Sequence, residues 1–226
     1  MRKVMKIKIL IAVELPEQWF EKAVGRYAKW SLPDTGCSGY DPSYLNNEVE
    51  DPGKLVMEMA SRAKEEGADG CIIDCFGDPG LEKSRNKVDI PVVGVGEQGM
   101  FFARTLGSEF GMITSDDSAL EDIKKNANFY GLGENMKRAS SISVPAEEVP
   151  NKLKKVKGLL LDEALKFPRD ISTIVLGCTE LAELAPGLTR SLRKEGRNVL
   201  VINPIMITVR QLETRLLQEK GAGKGF

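Results

Sequence analysis

The chain has 226 residues, 42 % of them hydrophobic and 29 % charged, a composition typical of a globular protein with a substantial core. Its 32 basic and 33 acidic residues leave a net charge of −1, which gives no electrostatic basis for binding nucleic acid or an anionic membrane surface. No run approaches the roughly 20 apolar residues of a membrane span. The apolar run at residues 9–13 is too short for a signal peptide. We therefore expect a cytoplasmic protein whose partner is a small-molecule substrate, with no nucleic acid and no membrane.

The chain contains four cysteines and no histidine. In the cytoplasm thiols stay reduced, so we expect four free thiols rather than disulfides. Cys71 and Cys75 form a Cys-x-x-x-Cys pair without a second pair of suitable spacing, and we therefore expect no metal site. Without histidine, Ser-His-Asp and Cys-His catalysis are excluded. Any acid–base chemistry then falls to Cys, Asp, Glu, Lys or Tyr.

Apolar runs and helical spacings alternate along the chain and predict a series of strands and helices. The predicted strands cover residues 6–13, 70–74, 92–95, 110–114, 139–144, 173–176 and 199–202. The predicted helices cover residues 17–30, 52–66, 79–86, 97–106, a segment after 116–118, 146–166, 180–184 and 204–218. Residues 31–47 are rich in Pro, Gly, Asp and Ser and are predicted to form a long loop.

Strands that alternate with helices predict an α/β protein with mainly parallel sheets flanked by helices. The order of strands in the first half is repeated in the second half, which indicates an internal duplication. We expect two pseudo-symmetric lobes with the active site in the cleft between them. The first lobe is predicted over residues 1–96 plus 204–226 and contains Cys75. The second is predicted over 97–203 and contains Cys178.

Cys75 and Cys178 occupy matching points in the two halves, each just past an apolar, β-branched run. The carboxyl ends of parallel strands are where α/β proteins hold ligands. Each cysteine also precedes a predicted short helix, whose N-terminus and oriented backbone N–H groups lower the pKa of a thiol. The same N–H groups are suited to stabilising an enolate oxygen. The sequence therefore favours a two-thiol site.

Two short motifs carry a family resemblance. Residues 75–81 read Cys-Phe-Gly-Asp-Pro-Gly-Leu, and residues 176–181 read Leu-Gly-Cys-Thr-Glu-Leu. Together they resemble the aspartate/glutamate/hydantoin racemase superfamily, and the first motif looks most like its hydantoin and allantoin racemase branch. The resemblance implies a cofactor-independent racemase that inverts the chiral carbon of a 5-substituted hydantoin-type substrate. It implies that Cys75 and Cys178 act as thiolate base and thiol acid, exchanging roles for the opposite enantiomer. We further expect a homo-oligomer.

Residues next to the two cysteines, and residues at the end of the strand predicted over 110–114, are candidates for substrate binding. These candidates are Phe76, Gly77, Thr114, Ser115, Thr179 and Glu180. The Glu180 carboxylate suits a substrate ammonium or ring N–H, but it equally suits the first turn of a helix. Cys71, inside a strand, is interpreted as a buried core thiol, and Cys37 as an incidental one.

Two departures from the hydantoin racemase pattern keep other functions open. Residues 12–16 read Ala-Val-Glu-Leu-Pro where hydantoin racemases usually carry Asn-Pro-Asn-Thr, and Gly-Cys-Thr-Glu looks more like the amino-acid racemases. An aspartate or glutamate racemase is therefore the alternative enzyme. Neither cysteine turn contains an arginine, which favours a neutral or singly charged ligand over a dicarboxylate. A small-molecule-binding or thiol-sensor module without turnover is the alternative from another class.

Overall fold

The chain divides into two compact α/β units, Met1–Val95 with Thr208–Phe226 and Gly96–Ile207. This computed structural model describes residues 4–11, 17–40 and 51–221. The end of the predicted first strand and part of the predicted long loop lie outside those residues. No helix within the described part of the chain is long and apolar enough to cross a membrane.

The first unit contains a four-stranded parallel sheet with strand order β2-β1-β3-β4. Its elements are β1 (Met5–Leu10), α1 (Glu17–Ala28), β2 (Thr35–Tyr40), α2 (Pro52–Glu65), β3 (Gly70–Ile73), α3 (Leu81–Lys87) and β4 (Val92–Gly94). Helices α2 and α3 pack on one face of the sheet in an apolar cluster that includes Met59, Leu81 and Ile73. On the other face, Phe20 of α1 lies directly against Gly39 of β2. The sheet is therefore covered on both faces, as α/β patterning predicts.

Strand β2 corrects the prediction of a continuous loop over residues 31–47. Residues 35–40 pair in parallel with β1 along its whole length, from Met5 with Thr35 to Leu10 with Tyr40. The sequence there, Thr-Gly-Cys-Ser-Gly-Tyr, has two glycines and little apolar content, so local propensity argued against a strand. Close packing provides the reason for Gly39: a Cβ there would lie 2.2 Å from the ring of Phe20.

The second unit repeats this architecture with strand order β6-β5-β7-β8, again entirely parallel. Its elements are α4 (Val95–Leu106), β5 (Phe110–Thr114), α5 (Ala119–Phe129), β6 (Met136–Ser141), α6 (Leu153–Leu165), β7 (Thr173–Leu176), α7 (Ala185–Lys194), β8 (Leu200–Ile202) and α8 (Pro204–Gly221), the last of which continues into the first unit. Helices α6 and α7 cover one face through a cluster that includes Val156, Leu160 and Leu188.

One helix prediction in this unit was wrong in extent, and one helix was not predicted. The single helix expected over 146–166 is a 3₁₀ segment, Ala146–Asn151, followed by α6. Pro150 explains the break, because proline removes a backbone donor and clashes with the preceding turn. After Cys178, the short helix expected over 180–184 is a 3₁₀ helix, Thr179–Leu184, which leads directly into α7, an element the sequence reading omitted.

Candidate active site

Cys75 and Cys178 occupy the same place in their respective sheets. In the first unit Leu10, the last residue of β1, pairs with Ile73, and in the second unit Ile113 of β5 pairs with Leu176. Each cysteine lies two residues beyond the second member of its pair. The residue before each cysteine makes the same backbone hydrogen bond in both units. The Asp74 N–H donates to the Leu10 carbonyl at 2.9 Å, and the Gly177 N–H donates to the Ile113 carbonyl at 2.8 Å. Each thiol therefore follows the carboxyl end of an inner parallel strand.

The Cys178 sulfur receives hydrogen bonds from the Ser115 side chain and from the backbone N–H groups of Glu180 and Leu181. Burial raises the pKa of the Cys178 thiol above its ordinary value, and these hydrogen bonds act against the rise because they stabilise the thiolate. The Glu180 carboxylate also raises the Cys178 pKa, since two negative charges would stand close together. The amide donors belong to the 3₁₀ helix that begins immediately after the cysteine.

Backbone contacts hold this group of residues in place. The Thr114 hydroxyl, on a residue only 1 % exposed, donates to the Gly177 carbonyl at 3.0 Å. Ser115 is also buried, and its carbonyl accepts from the Val144 N–H at 2.8 Å. The ends of β5 and β7 and the segment after β6 are thus joined around Cys178. These bonds hold the backbone of Ser115 and Gly177 in place beside Cys178.

The Cys75 turn is built differently, from residues 75–80 before α3 begins. The Asp78 N–H donates to the Cys75 carbonyl at 3.1 Å, and Asp78 adopts a φ of 47°, which is unusual for a residue with a side chain. Its carboxylate lies against Gly94, where a Cβ would stand 2.2 Å from Oδ1. Gly80, with a φ of 69°, packs against the Gly53 carbonyl in the first turn of α2. These close approaches require glycine at positions 80 and 94.

A buried polar group next to Cys75 was missed by the sequence reading. The Tyr27 hydroxyl donates to the Asp74 carboxylate at 2.6 Å, and the Arg26 guanidinium lies 3.9 Å from the same carboxylate. Burial raises the pKa of Tyr27 well above its ordinary value, and the charge of Asp74 and, more weakly, that of Cys75 raise it further. Tyr27 lies on the apolar side of α1, where its spacing is that of a core residue. The charged Asp74 at a buried strand end was the signal that was overlooked.

The remaining predicted site residues fall within one unit or the other. The backbone of Gly77 lies near the Cys75 sulfur, because a Cβ built at position 77 would be 3.7 Å from that sulfur. Phe76 is buried, with 4 % of its surface exposed. Thr179 and Glu180 are the first residues of the 3₁₀ helix and are partly exposed. The structure thus brings Thr114, Ser115 and Glu180 around Cys178, and Gly77 beside Cys75. Their roles toward a substrate stay predictions.

All four cysteines belong to the described residues and are free thiols, as predicted. Cys71 is fully buried, which confirms its interpretation as a core residue, and burial raises the pKa of its thiol to about 12. Cys37 lies in β2, with its sulfur 3.0 Å from the Ser31 hydroxyl. Within the described part of the chain, no three acidic, cysteine or histidine side chains are grouped closely enough to hold a metal ion.

A scan of protein families matches residues 42–212 to the Asp/Glu/hydantoin racemase model. The chain belongs to this family. Among curated relatives, a hydantoin racemase from Pseudomonas sp. (strain NS671) is 28 % identical over 177 residues, which cover 76 % of this chain and 67 % of that protein. The family predicted from the two cysteine motifs is thereby confirmed, and with it the enzyme class, an isomerase of the racemase type.

Solved structures share the same fold. An allantoin racemase from Pseudomonas fluorescens superposes with a TM-score of 0.81 at 18 % identity, covering 95 % of this chain and 92 % of that one. A glutamate racemase from Bacillus anthracis superposes with a TM-score of 0.71 at 22 % identity, covering 97 % and 84 %. Both similarities concern the fold, and the predicted α/β class with two lobes of parallel sheet is confirmed.

Proposed function

We propose that this protein is a cofactor-independent racemase in which Cys75 and Cys178 act on opposite faces of one chiral carbon. The observation that carries the proposal is the equivalent register of the two cysteines, each two residues beyond the end of an inner strand. Two thiols that occupy equivalent positions in two similar sheets suit racemisation, because its forward and reverse reactions are chemically equivalent. Family membership supports the reaction class.

The proposed chemistry needs one thiolate and one thiol. The thiolate removes the proton from the carbon next to a carbonyl, and the carbanion is stabilised as an enolate on the carbonyl oxygen. The other thiol delivers its proton to the opposite face, so that the cysteines exchange protonation states and the substrate is inverted. Backbone N–H groups such as those after Cys178 are suited to stabilising the enolate oxygen.

We propose a 5-substituted hydantoin-type compound as the substrate class. Curated relatives matched over three quarters of the chain are named hydantoin racemases. The Arg26 guanidinium, on the Cys75 side of the proposed site, faces the Asp74 carboxylate. Because its positive charge is balanced within the protein, it is poorly suited to binding a substrate dicarboxylate. A neutral ring with acceptor carbonyls fits such surroundings better than free aspartate or glutamate.

An amino-acid racemase is the second candidate. The observation that favours it is the Gly-Cys-Thr-Glu sequence at Cys178, with Glu180 partly exposed beside the sulfur. A carboxylate there suits a substrate ammonium.

One experiment separates these candidates. Single enantiomers of a 5-substituted hydantoin, allantoin, aspartate and glutamate are incubated with the protein in deuterated water. Loss of optical rotation and deuterium incorporation at the chiral carbon are followed together. We expect both with a hydantoin-type substrate, and loss of racemisation in Cys75→Ser and in Cys178→Ser. Racemisation of free amino acids alone would favour the second candidate, and wild-type racemisation by Cys178→Ser would refute the two-cysteine mechanism.

If none of these compounds is turned over, the result would favour the binding or sensor alternative.

A cytoplasmic location and a homo-oligomeric assembly also stay proposals. Reduced thiols are required by the mechanism, which is consistent with the cytoplasm. Size-exclusion chromatography with light scattering would measure the assembly directly.

A further inference from the structure

The two cysteines have equivalent backbone positions but different neighbours. Ser115 lies two residues beyond Ile113, at the end of β5, and its side chain hydrogen-bonds the Cys178 sulfur. The same count from Leu10 in the first unit reaches Ala12, which lies outside the described residues and whose side chain has no hydroxyl. A side-chain donor from this sequence position is therefore available to Cys178 and not to Cys75.

We propose that Ser115 is a positioning residue for the racemisation proposed above: its hydroxyl donates to the Cys178 sulfur and stabilises the thiolate form of this cysteine. The inference rests on the proposed function, because a thiolate at Cys178 is required only if this cysteine takes part in proton transfer. In one direction the thiolate is the base, and in the other it remains after the thiol has delivered its proton. Ser115 therefore acts in both directions.

The surroundings of Cys178 explain why such a donor is needed. The cysteine packs against the apolar cluster under α6 and α7, which includes Leu181 and Leu192 and offers no compensation for a negative charge. The Glu180 carboxylate acts on the sulfur, and its negative charge disfavours the thiolate. Burial and Glu180 both oppose ionisation of Cys178, whereas the hydrogen-bond donors favour it.

Ser115 is held where its hydroxyl can serve this role. The residue is 3 % exposed, and its carbonyl accepts from the Val144 N–H at 2.8 Å. On the neighbouring strand, the Gly177 N–H is fixed to the Ile113 carbonyl, and the Gly177 carbonyl accepts from Thr114. The backbone positions of Ser115 and Cys178 are therefore set by two joined strand ends.

The test measures the thiol directly and does not depend on turnover. Alkylation of the full-length protein by iodoacetamide is followed across pH, with Cys178 and Cys75 quantified separately in the same peptide digest. In Ser115→Ala we expect the pH midpoint for Cys178 alkylation to rise by roughly one to two pH units, because a hydrogen bond to a charged acceptor is lost. The Cys75 midpoint serves as the internal reference and stays in place.

Two matched variants separate thiolate stabilisation from a merely structural role. Ser115→Thr keeps the hydroxyl and is expected to restore the Cys178 midpoint. Ser118→Ala removes an exposed hydroxyl from the same segment and is expected to leave it unchanged. An unshifted midpoint in Ser115→Ala, or equal shifts in Ser115→Ala and Ser115→Thr, would overturn the proposal.

Kinetics distinguish this inference from the proposed function itself. In Ser115→Ala, kcat/KM at neutral pH is expected to fall by about 10- to 100-fold and to recover as the pH is raised. A uniform loss at every pH would overturn the role of Ser115 while leaving the two-cysteine reaction intact. Absence of deuterium exchange in the wild type would instead overturn the proposed function, whatever the alkylation midpoints show.

Discussion

Replacing Gly80 by alanine should damage the Cys75 turn far more than its backbone conformation alone would require. Gly80 has a φ of 69°, and a Cβ there would stand 2.1 Å from the Gly53 carbonyl oxygen in the first turn of α2. The left-handed conformation costs an alanine about 1 kcal/mol. The clash is with backbone at both ends, so relief requires the turn or α2 to move, at a further cost of about 2 kcal/mol or more. We therefore expect Gly80→Ala to lower the free energy of unfolding by about 3 kcal/mol.

Gly67 provides the matched control for this prediction. It also has a positive φ, 82°, but no atom of the described residues would lie within 4 Å of a Cβ there. Gly67→Ala should therefore lose only about 1 kcal/mol in urea denaturation, the left-handed cost without the clash. Under the proposed function, Gly80→Ala should also reduce kcat, while Gly67→Ala should not. Equal losses of stability in the two variants would refute the reasoning, because the contact with Gly53 would then carry no energy.

Three further predictions test the buried polar and thiol groups. In a double-mutant cycle with Tyr27→Phe and Asp74→Asn, unfolding free energies should give a coupling of about 2 kcal/mol, since the hydroxyl donates to a buried carboxylate; additive effects would contradict this. Thr114→Val should destabilise by about 1 kcal/mol through loss of the bond to the Gly177 carbonyl, with Thr114→Ser largely sparing it. Burial raises the pKa of Cys71 in the folded protein to about 12, so as the pH rises this thiol ionises first in the unfolded chain. That ionisation stabilises the unfolded chain and lowers the free energy of unfolding. Wild-type stability should therefore fall by about 2 kcal/mol more between pH 8 and pH 10 than that of Cys71→Ala; parallel pH dependences would contradict the assignment.

Regular apolar patterning made most of the fold predictable. Strands β5 and β7 were predicted within a residue of their observed ends, because each is a short run of buried apolar residues followed by turn-forming ones. Strand β2 was missed since its glycines and serine carry no strand preference, and its place is decided by pairing with β1 and by packing under Phe20. Such tertiary effects are not visible in local sequence.

The candidate site was predictable in part. The two cysteines could be found because each half of the chain has one directly after an apolar run, at a matching position. The tuning of those thiols could not, because it depends on contacts between residues distant in sequence. Ser115 and Cys178 come into contact only when β5 pairs with β7. Tyr27 reaches Asp74 only when α1 packs against its sheet. Sequence spacing predicts which elements are neighbours, whereas the direction of each hydroxyl is set by packing.

The unequal neighbours of Cys75 and Cys178 have a limited kinetic consequence for a racemase. Enantiomers have the same free energy in solution, so their equilibrium constant is 1 and kcat/KM must be equal in the two directions at every pH. Stabilising the Cys178 thiolate, as proposed for Ser115, therefore cannot favour one direction in kcat/KM. It can change kcat and KM separately, because it alters which protonation form of the free protein is populated and which enantiomer that form binds. We expect Ser115→Ala to change kcat by different factors for the two enantiomers, with KM changing by factors that keep kcat/KM equal in the two directions. Unequal kcat/KM values in the two directions would instead mean that the measured reaction is not a simple racemisation.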